Sequence, residues 1–196
     1  MSDRPLFGLV LAGGESRRMG RDKALLRQGG LSQLARTVAL LDDVTDKVFV
    51  STRAEQRDEP ERSRYPQIVD RYEAIGPVAG ILSAMDEYPD VDWLVVACDL
   101  PNVDASTLEA LLERRADERP FTAFVSSHDG LPEPLCALYR TGSDAIIRGF
   151  VEGGIICPRK IMIRSDTELL EQPDPAALDN VNTPEDLASS VLEAAP

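Results

Sequence analysis

The sequence has 196 residues, a length that favours one compact domain over two independent cores. It carries 34 Asp and Glu residues against 21 Lys and Arg, a formal net charge of −13, which argues against a surface that binds nucleic acid through its phosphates. Hydrophobic residues make up 43%, enough for a core, yet no apolar run approaches the roughly 18 residues that a membrane helix requires.

In the first half of the chain, runs rich in Val, Ile and Leu alternate with segments of helical period. This alternation is typical of strand–helix units wound into a mainly parallel sheet. The charged stretch from Arg53 to Arg64 is predicted to be a solvated surface, with basic members that line a pocket entrance as the alternative. The elements predicted here are strands over Phe7–Leu11, Lys47–Ser51 and 67–70, and an amphipathic helix over 31–41.

The second half continues the pattern. Pro77 suits the first turn of a helix that ends near Tyr88, and the wholly apolar run Trp93–Cys98 predicts a central strand that is covered on both faces. Asp104 is expected to cap the next helix, which runs to about Ala116. The remaining predictions are strands over 121–126 and 135–139, a helix near 143–151, either structure over 159–164, and a last helix opening at Thr183-Pro184.

The segment Leu11–Lys23, directly after the first strand, has the composition of an anion-binding loop. Its glycines Gly13 and Gly14 allow close backbone approach, and its cations outnumber its acids by about two in a strongly negative protein. It has neither the spacing of a P-loop nor that of a dinucleotide fold, so an ordinary basic strand-to-helix turn remains an alternative. The cations are Arg17, Arg18, Arg21 and Lys23.

Two carboxylates, Asp70 and Asp99, follow apolar strands that end at the same edge of the predicted sheet. Mg²⁺ prefers oxygen ligands and often takes one or two carboxylates together with substrate phosphates. We therefore predict Asp99 as a magnesium ligand. The alternative for each aspartate is a cap on the following loop.

Five motifs in order give the chain a resemblance to the molybdenum cofactor guanylyltransferase family. They are Leu11–Lys23, Gly76–Ile81 after Asp70, Cys98-Asp99-Leu100-Pro101, Pro134–Tyr139, and Asn180-Val181-Asn182-Thr183-Pro184. The resemblance implies a three-layer, Rossmann-like α/β nucleotidyltransferase fold with a mainly parallel, mixed central sheet, formed by residues 1–196 as one domain. It also implies GTP and molybdopterin as substrates, Mg²⁺ as cofactor, and molybdoenzyme maturation proteins as partners.

Carried onto matching positions, the resemblance implies three groups of site residues. Arg18, Lys23 and Asp99 would be catalytic, and Asn180 and Asn182 would bind the acceptor. One departure from the family is Ser51, where its members commonly have Asn. The nucleotide-binding set would be Leu11, Ala12, Gly13, Gly14, Lys23, Ser51, Asp70 and Asp99.

The expected reaction is transfer of GMP from GTP to molybdopterin with release of pyrophosphate. The acceptor phosphate is already ionised near neutral pH, so no strong general base is needed. His128, the one histidine, is accordingly predicted as a turn residue, and the three cysteines, which form no Cys-x-x-Cys pair, as reduced thiols. Alternatives are CTP or another phosphorylated acceptor as substrate, or a nucleotide-binding protein without turnover. A cytoplasmic location is expected.

Overall fold

The computed structural model describes residues 4–13, 22–181 and 192. Within them, a seven-stranded sheet runs through the molecule in the order β5-β4-β1-β6-β8-β7-β9. Strand β8 is antiparallel to both of its neighbours and the other strand pairs are parallel. The strands are β1 Leu6–Leu11, β4 Lys47–Thr52, β5 Gln67–Val69, β6 Asp92–Ala97, β7 Phe121–Val125, β8 Pro132–Tyr139 and β9 Thr167–Leu170.

A small hairpin and five α-helices complete the described elements. The hairpin pairs β2 (Arg27–Gln28) with β3 (Leu31–Ser32). The helices are α1 Gln33–Asp42, α2 Pro77–Glu87, α3 Ala105–Glu113, α4 Ser143–Glu152 and α5 Pro158–Ile163, and short 3-10 helices span Lys23–Leu25, Ala54–Gln56 and Arg62–Arg64.

Helices cover both faces of the sheet, so the core has two halves. Neighbouring residues of a strand point to opposite faces, and along β6 Leu94 packs on one side while Val95 packs on the other. The first half includes α1 and α3, and the second includes α2, α4 and α5. This arrangement confirms the predicted three-layer, mainly parallel architecture.

The topology also determines where a ligand can bind. After β1 the chain winds outward through β4 and β5, and it then returns to place β6 on the opposite side of β1. In sheets of this type ligands bind outside the carboxyl ends of the strands at such a reversal. The register aligns Leu11 at the end of β1 with both Ala97 and Ser51, so the segments that follow these strands emerge together.

The structure corrects several boundaries from the sequence analysis. Helix α1 begins at Gln33 because the Ser32 hydroxyl accepts the Ala35 N–H at 3.0 Å, and Leu31 belongs to the hairpin. The ambiguous segment near Arg159 is helical, as α5. Strand β9 was not predicted, and the predicted helix at Thr183 lies outside the described residues.

Among the described residues, no helix combines the length and the apolar content needed to cross a bilayer.

Candidate active site

A cavity of about 820 Å³ lies at the carboxyl edge of the sheet, outside β1, β4, β5 and β6. Its lining comes from segments that are distant in sequence and that the parallel register brings together. The cavity contains every nucleotide-site residue predicted above that the structure describes: Leu11, Ala12, Gly13, Lys23, Ser51, Asp70 and Asp99. Gly14, Arg18 and Asn182 lie outside the described residues.

Lys23 and Asp99 meet on one side of the cavity. The Lys23 Nζ donates to Asp99 Oδ2 at 3.2 Å, and both side chains are largely shielded from solvent. Lys23 opens a 3-10 helix whose N-cap is Asp22, which accepts the Ala24 N–H at 3.1 Å. Asp99 follows the buried strand β6. The structure therefore confirms that the described ends of the segment after β1 and the aspartate after β6 converge on one cavity.

Ser51 and Asp70 form a second polar group on the opposite side of β1 from β6. The Ser51 hydroxyl donates to Asp70 Oδ1 at 2.8 Å. Gly80 of α2 makes room for this contact, since a Cβ at that position would lie 2.2 Å from Ser51 Oγ. The other carboxylate oxygen of Asp70 faces Gly13, where a Cβ would lie 3.5 Å from Oδ2. Ser51 is thus held by Asp70, whereas sequence reasoning treated these residues separately.

The surroundings of Asp70 change its acidity. Burial raises the pKa of this carboxyl above its ordinary value, and the hydrogen bond from Ser51 and the charge of Arg53 offset that effect only in part. A carboxylate in this condition binds hydrogen-bond donors strongly because little water competes for it. Asp70 is therefore suited to accept N–H groups of a bound ligand.

Arg62 is the main correction to the sequence analysis. The whole stretch from Arg53 to Arg64 was expected to be solvated, but the Arg62 side chain is 0% exposed. Its Nη2 donates to the Ala12 carbonyl at 2.8 Å and pairs with Asp22 at 2.8 Å. Arg53, by contrast, lines the cavity, which agrees with the alternative that basic members of this stretch lie at a pocket entrance. No feature of the sequence distinguishes Arg62 from its exposed neighbour Arg64, since only the tertiary fold buries one of them.

The loop between β5 and α2 supplies cavity residues that sequence reasoning did not select. Tyr72, Glu73 and Ala74 line the cavity. The Tyr72 hydroxyl donates to Asp86 of α2 at 2.7 Å and accepts from Arg148 of α4 at 2.8 Å. This loop is thus attached to two helices of the same face.

A second cavity of about 1110 Å³ adjoins the first, and both are lined by Gly76, Pro77, Asp99 and Leu135. Asn180, predicted to bind the acceptor, lies in its wall. The following residue is tied to the first cavity, because the Val181 N–H donates to the Asp99 carbonyl at 3.1 Å.

His128 and the three cysteines behave as predicted. His128 is a turn residue with a side chain 74% exposed, and its Nε2 lies 2.7 Å from Asp179 Oδ1. Arg159, at the second cavity, pairs with Asp129 and Glu133. All three cysteines are free thiols. Burial, with the nearby Asp99 and Asp22 charges, raises the pKa of Cys98 to about 12, so this thiol is a core group and not a nucleophile.

The family model that matches the chain describes a MobA-like NTP transferase domain and covers residues 8–154. The chain belongs to this family. The match includes most of β1, the whole of β4, β5 and β6, the segment Leu11–Lys23 and both aspartates of the first cavity, which agrees with the resemblance drawn from the motifs.

Individual relatives extend the agreement beyond the family model. The chain is 34% identical to the molybdenum cofactor guanylyltransferase of Pseudomonas aeruginosa strain PAO1, with 94% of each chain covered. It is 36% identical to a molybdenum cofactor biosynthesis bifunctional protein of Synechocystis over 95% of its own length. There it spans only about half of the relative, 54%.

A solved structure shows the same fold. The chain resembles the molybdopterin-guanine dinucleotide biosynthesis protein A of Archaeoglobus fulgidus with a TM-score of 0.76 and 25% identity, covering 93% of this chain and 95% of that one. The NTP transferase family and its fold are therefore established for this chain.

Proposed function

We propose that this protein transfers GMP from GTP to molybdopterin, with Mg²⁺, and releases pyrophosphate. The observation that carries the proposal is that the first cavity holds both polar pairs: Lys23 and Asp99 lie on one side of it, and Ser51 and Asp70 lie on the other. A relative of similar length is named molybdenum cofactor guanylyltransferase, which supports the same substrate pair.

The cavity offers groups for each end of a nucleoside triphosphate. Lys23 supplies fixed positive charge for phosphate oxygens, and its position beside Asp99 places that charge next to a carboxylate. At the other side, Asp70 can accept the N–H donors that guanine presents on its pairing edge, as can the backbone carbonyls near Gly13. Cytosine lacks the N1–H and N2–H₂ pair, so this arrangement favours GTP over CTP.

The donor chemistry fits Mg²⁺ that arrives with a triphosphate. Among the described residues no cluster of three or more His, Cys, Asp or Glu side chains could hold a metal by itself. Mg²⁺ commonly uses one or two carboxylates and completes its shell with phosphates and water, so Asp99 would be a sufficient protein ligand. When bound, the ion would offset the negative charge of the phosphate groups.

The second cavity would receive the acceptor. It meets the first at Asp99, and Asn180 lies in its wall. The terminal phosphate of molybdopterin would attack the α-phosphorus of GTP, a new P–O bond would form, and the bond to the bridging oxygen of pyrophosphate would break. The protein's part is to position the reactants and neutralise charge, because the attacking phosphate is already ionised.

Product analysis tests the proposal directly. The protein would be mixed with molybdate-loaded molybdopterin, Mg²⁺ and equimolar GTP, CTP, ATP and UTP, and the products identified by mass spectrometry. We expect a guanylylated product only, with no pyrophosphate released when molybdopterin is left out. A cytidylylated product, or guanylylation of a different acceptor in preference to molybdopterin, would contradict the proposed substrate pair.

A further inference from the structure

The Arg62 side chain is completely buried, and it contacts residues near both ends of the predicted anion-binding loop, Leu11–Lys23. Its Nη2 donates to the Ala12 carbonyl at 2.8 Å and to Asp22 Oδ1 at 3.0 Å. Ala12 and Asp22 lie near the two ends of this loop, so a single guanidinium bridges two points that are ten residues apart in sequence. The side chain is 0% exposed.

Glu59 binds both the backbone and the guanidinium of Arg62. Its Oε2 accepts the Arg62 backbone N–H at 3.0 Å and lies 3.2 Å from Nη1. Burial opposes ionisation of Glu59, but the N–H groups of Glu61 and Arg62 and the guanidinium charge outweigh it and lower the pKa of Glu59. Two carboxylates therefore neutralise the buried charge, and a carbonyl takes one more of its donors.

Asp22 connects this cluster to the cavity. Besides binding Arg62, it caps the 3-10 helix in which Lys23 stands, and Lys23 Nζ reaches Asp99. A continuous series of contacts thus leads from Glu59 through Arg62 and Asp22 to the residues at the proposed phosphate site.

We infer that Arg62 is a positioning residue for the nucleoside triphosphate: it holds Ala12 and Asp22 at a set separation and so determines where Lys23 and the backbone of Gly13 meet the ligand. The inference rests on the proposed function. Arginine suits this role because its planar fork presents several donors in fixed directions, whereas an ammonium is a single point charge.

Two variants separate positioning from simple structural support. Arg62→Lys keeps the charge between Asp22 and Glu59 but cannot reach all of the partners of the fork. Glu59→Gln weakens the ion pair between Glu59 and Arg62. Glu59 is not among the described residues that line the cavity, so we expect this change to affect ligand binding through Arg62. Arg64→Lys is the matched control, since Arg64 lies in the same 3-10 helix but is 67% exposed.

The experiment measures KM for GTP and for molybdopterin, and hydrogen exchange in peptides covering residues 10–25. For Arg62→Lys we expect KM for GTP to rise about tenfold or more, because a hydrogen bond to a charged group is lost, while KM for molybdopterin stays within about twofold. Exchange should become faster in these peptides. Glu59→Gln should change the same quantities in the same direction, and Arg64→Lys should change none of them.

Other outcomes would overturn the inference. An unchanged KM for GTP in folded Arg62→Lys, or equal increases in both KM values, would show that Arg62 only supports the fold. If Arg62→Lys does not fold, the same criteria apply to Glu59→Gln. If the wild-type protein makes no guanylylated product, the proposed function fails, and the dissociation constants of the Mg²⁺ complexes of the four nucleoside triphosphates then decide the role of Arg62 without any acceptor.

Discussion

Lys23 Nζ lies 3.2 Å from Asp99 Oδ2, although 76 positions separate the two residues in the chain. The strands that precede them, β1 and β6, are adjacent, parallel and end in register, Leu11 opposite Ala97, so the segments that follow leave the sheet at the same edge. The contact places a cation beside the carboxylate proposed to bind Mg²⁺, so that a bound triphosphate would meet both charges at the same point.

Replacing Asp99 tests its proposed role as metal ligand. Asp99→Asn keeps the size of the side chain but weakens an oxygen ligand for Mg²⁺, so we expect turnover to fall by about 100-fold or more and the Mg²⁺ concentration for half-maximal rate to rise. Pyrophosphate release across a Mg²⁺ titration measures both. Asp90→Asn is a control with the same charge change at an exposed position, and an undiminished rate in Asp99→Asn would remove the metal assignment.

The acidity of Asp70 leads to a pH prediction. Burial raises the pKa of Asp70 in the folded protein, so its carboxylate becomes protonated at a higher pH than an ordinary aspartate, and the protonated form has lost an acceptor. GTP affinity should therefore fall as pH drops through this raised value. Ser51→Ala removes the donor to Asp70 Oδ1 and should move the midpoint to higher pH.

Binding calorimetry of Mg²⁺–GTP at a series of pH values measures the two midpoints. Titration of the nucleotide itself is common to both proteins and cancels in the comparison. Identical pH profiles for wild type and Ser51→Ala would contradict the role of Asp70 in binding GTP.

Two glycine-to-alanine changes in helices should have opposite effects on stability. At Gly80 a Cβ would lie 2.2 Å from Ser51 Oγ, so Gly80→Ala has to displace the Ser51–Asp70 pair, lowering the free energy of unfolding by about 1–3 kcal/mol. It should also raise KM for GTP. At Gly149 in α4 a Cβ meets nothing within 4 Å, so Gly149→Ala should raise the free energy of unfolding by about 0.4–1 kcal/mol. Urea denaturation measures the free energy of unfolding of both variants. Equal changes in Gly80→Ala and Gly149→Ala would contradict the packing argument.

The single histidine reports on the wall of the second cavity. The hydrogen bond to Asp179 and its negative charge raise the pKa of His128 above 6.5. Because the folded pKa exceeds the unfolded value, the pair contributes to stability below the unfolded pKa, and that contribution is lost as pH rises through the folded one. Proton NMR follows the one histidine ring without ambiguity. Asp179→Asn should lower the pH at the midpoint of the His128 titration. An unchanged midpoint would show that the contact between His128 and Asp179 is absent in solution.

The pattern of the sequence was sufficient for most of the architecture. Runs such as Trp93–Cys98 are apolar throughout because a central strand between two layers of helices has no solvated face, and this property can be recognised without knowing the partners of the strand. Asp104 was likewise identified from the sequence as a helix cap, because a cap depends only on residues close to it in the chain. The structure confirms it: the Asp104 side chain accepts the N–H of Thr107, three residues along the chain. Short, mixed segments such as β9 carry no such local signal.

The composition of the candidate site was determined by the sequence, but its internal connections were decided by the tertiary structure. Strand ends and motif residues placed Asp70, Asp99 and Lys23 at one edge of the sheet. That Ser51 holds Asp70, and that Arg62 is fully buried while Arg64 is exposed, depends on contacts between segments that are far apart or folded back on one another. Burial of a charge results from the whole fold, so a charged run in sequence cannot show which of its members has left the solvent.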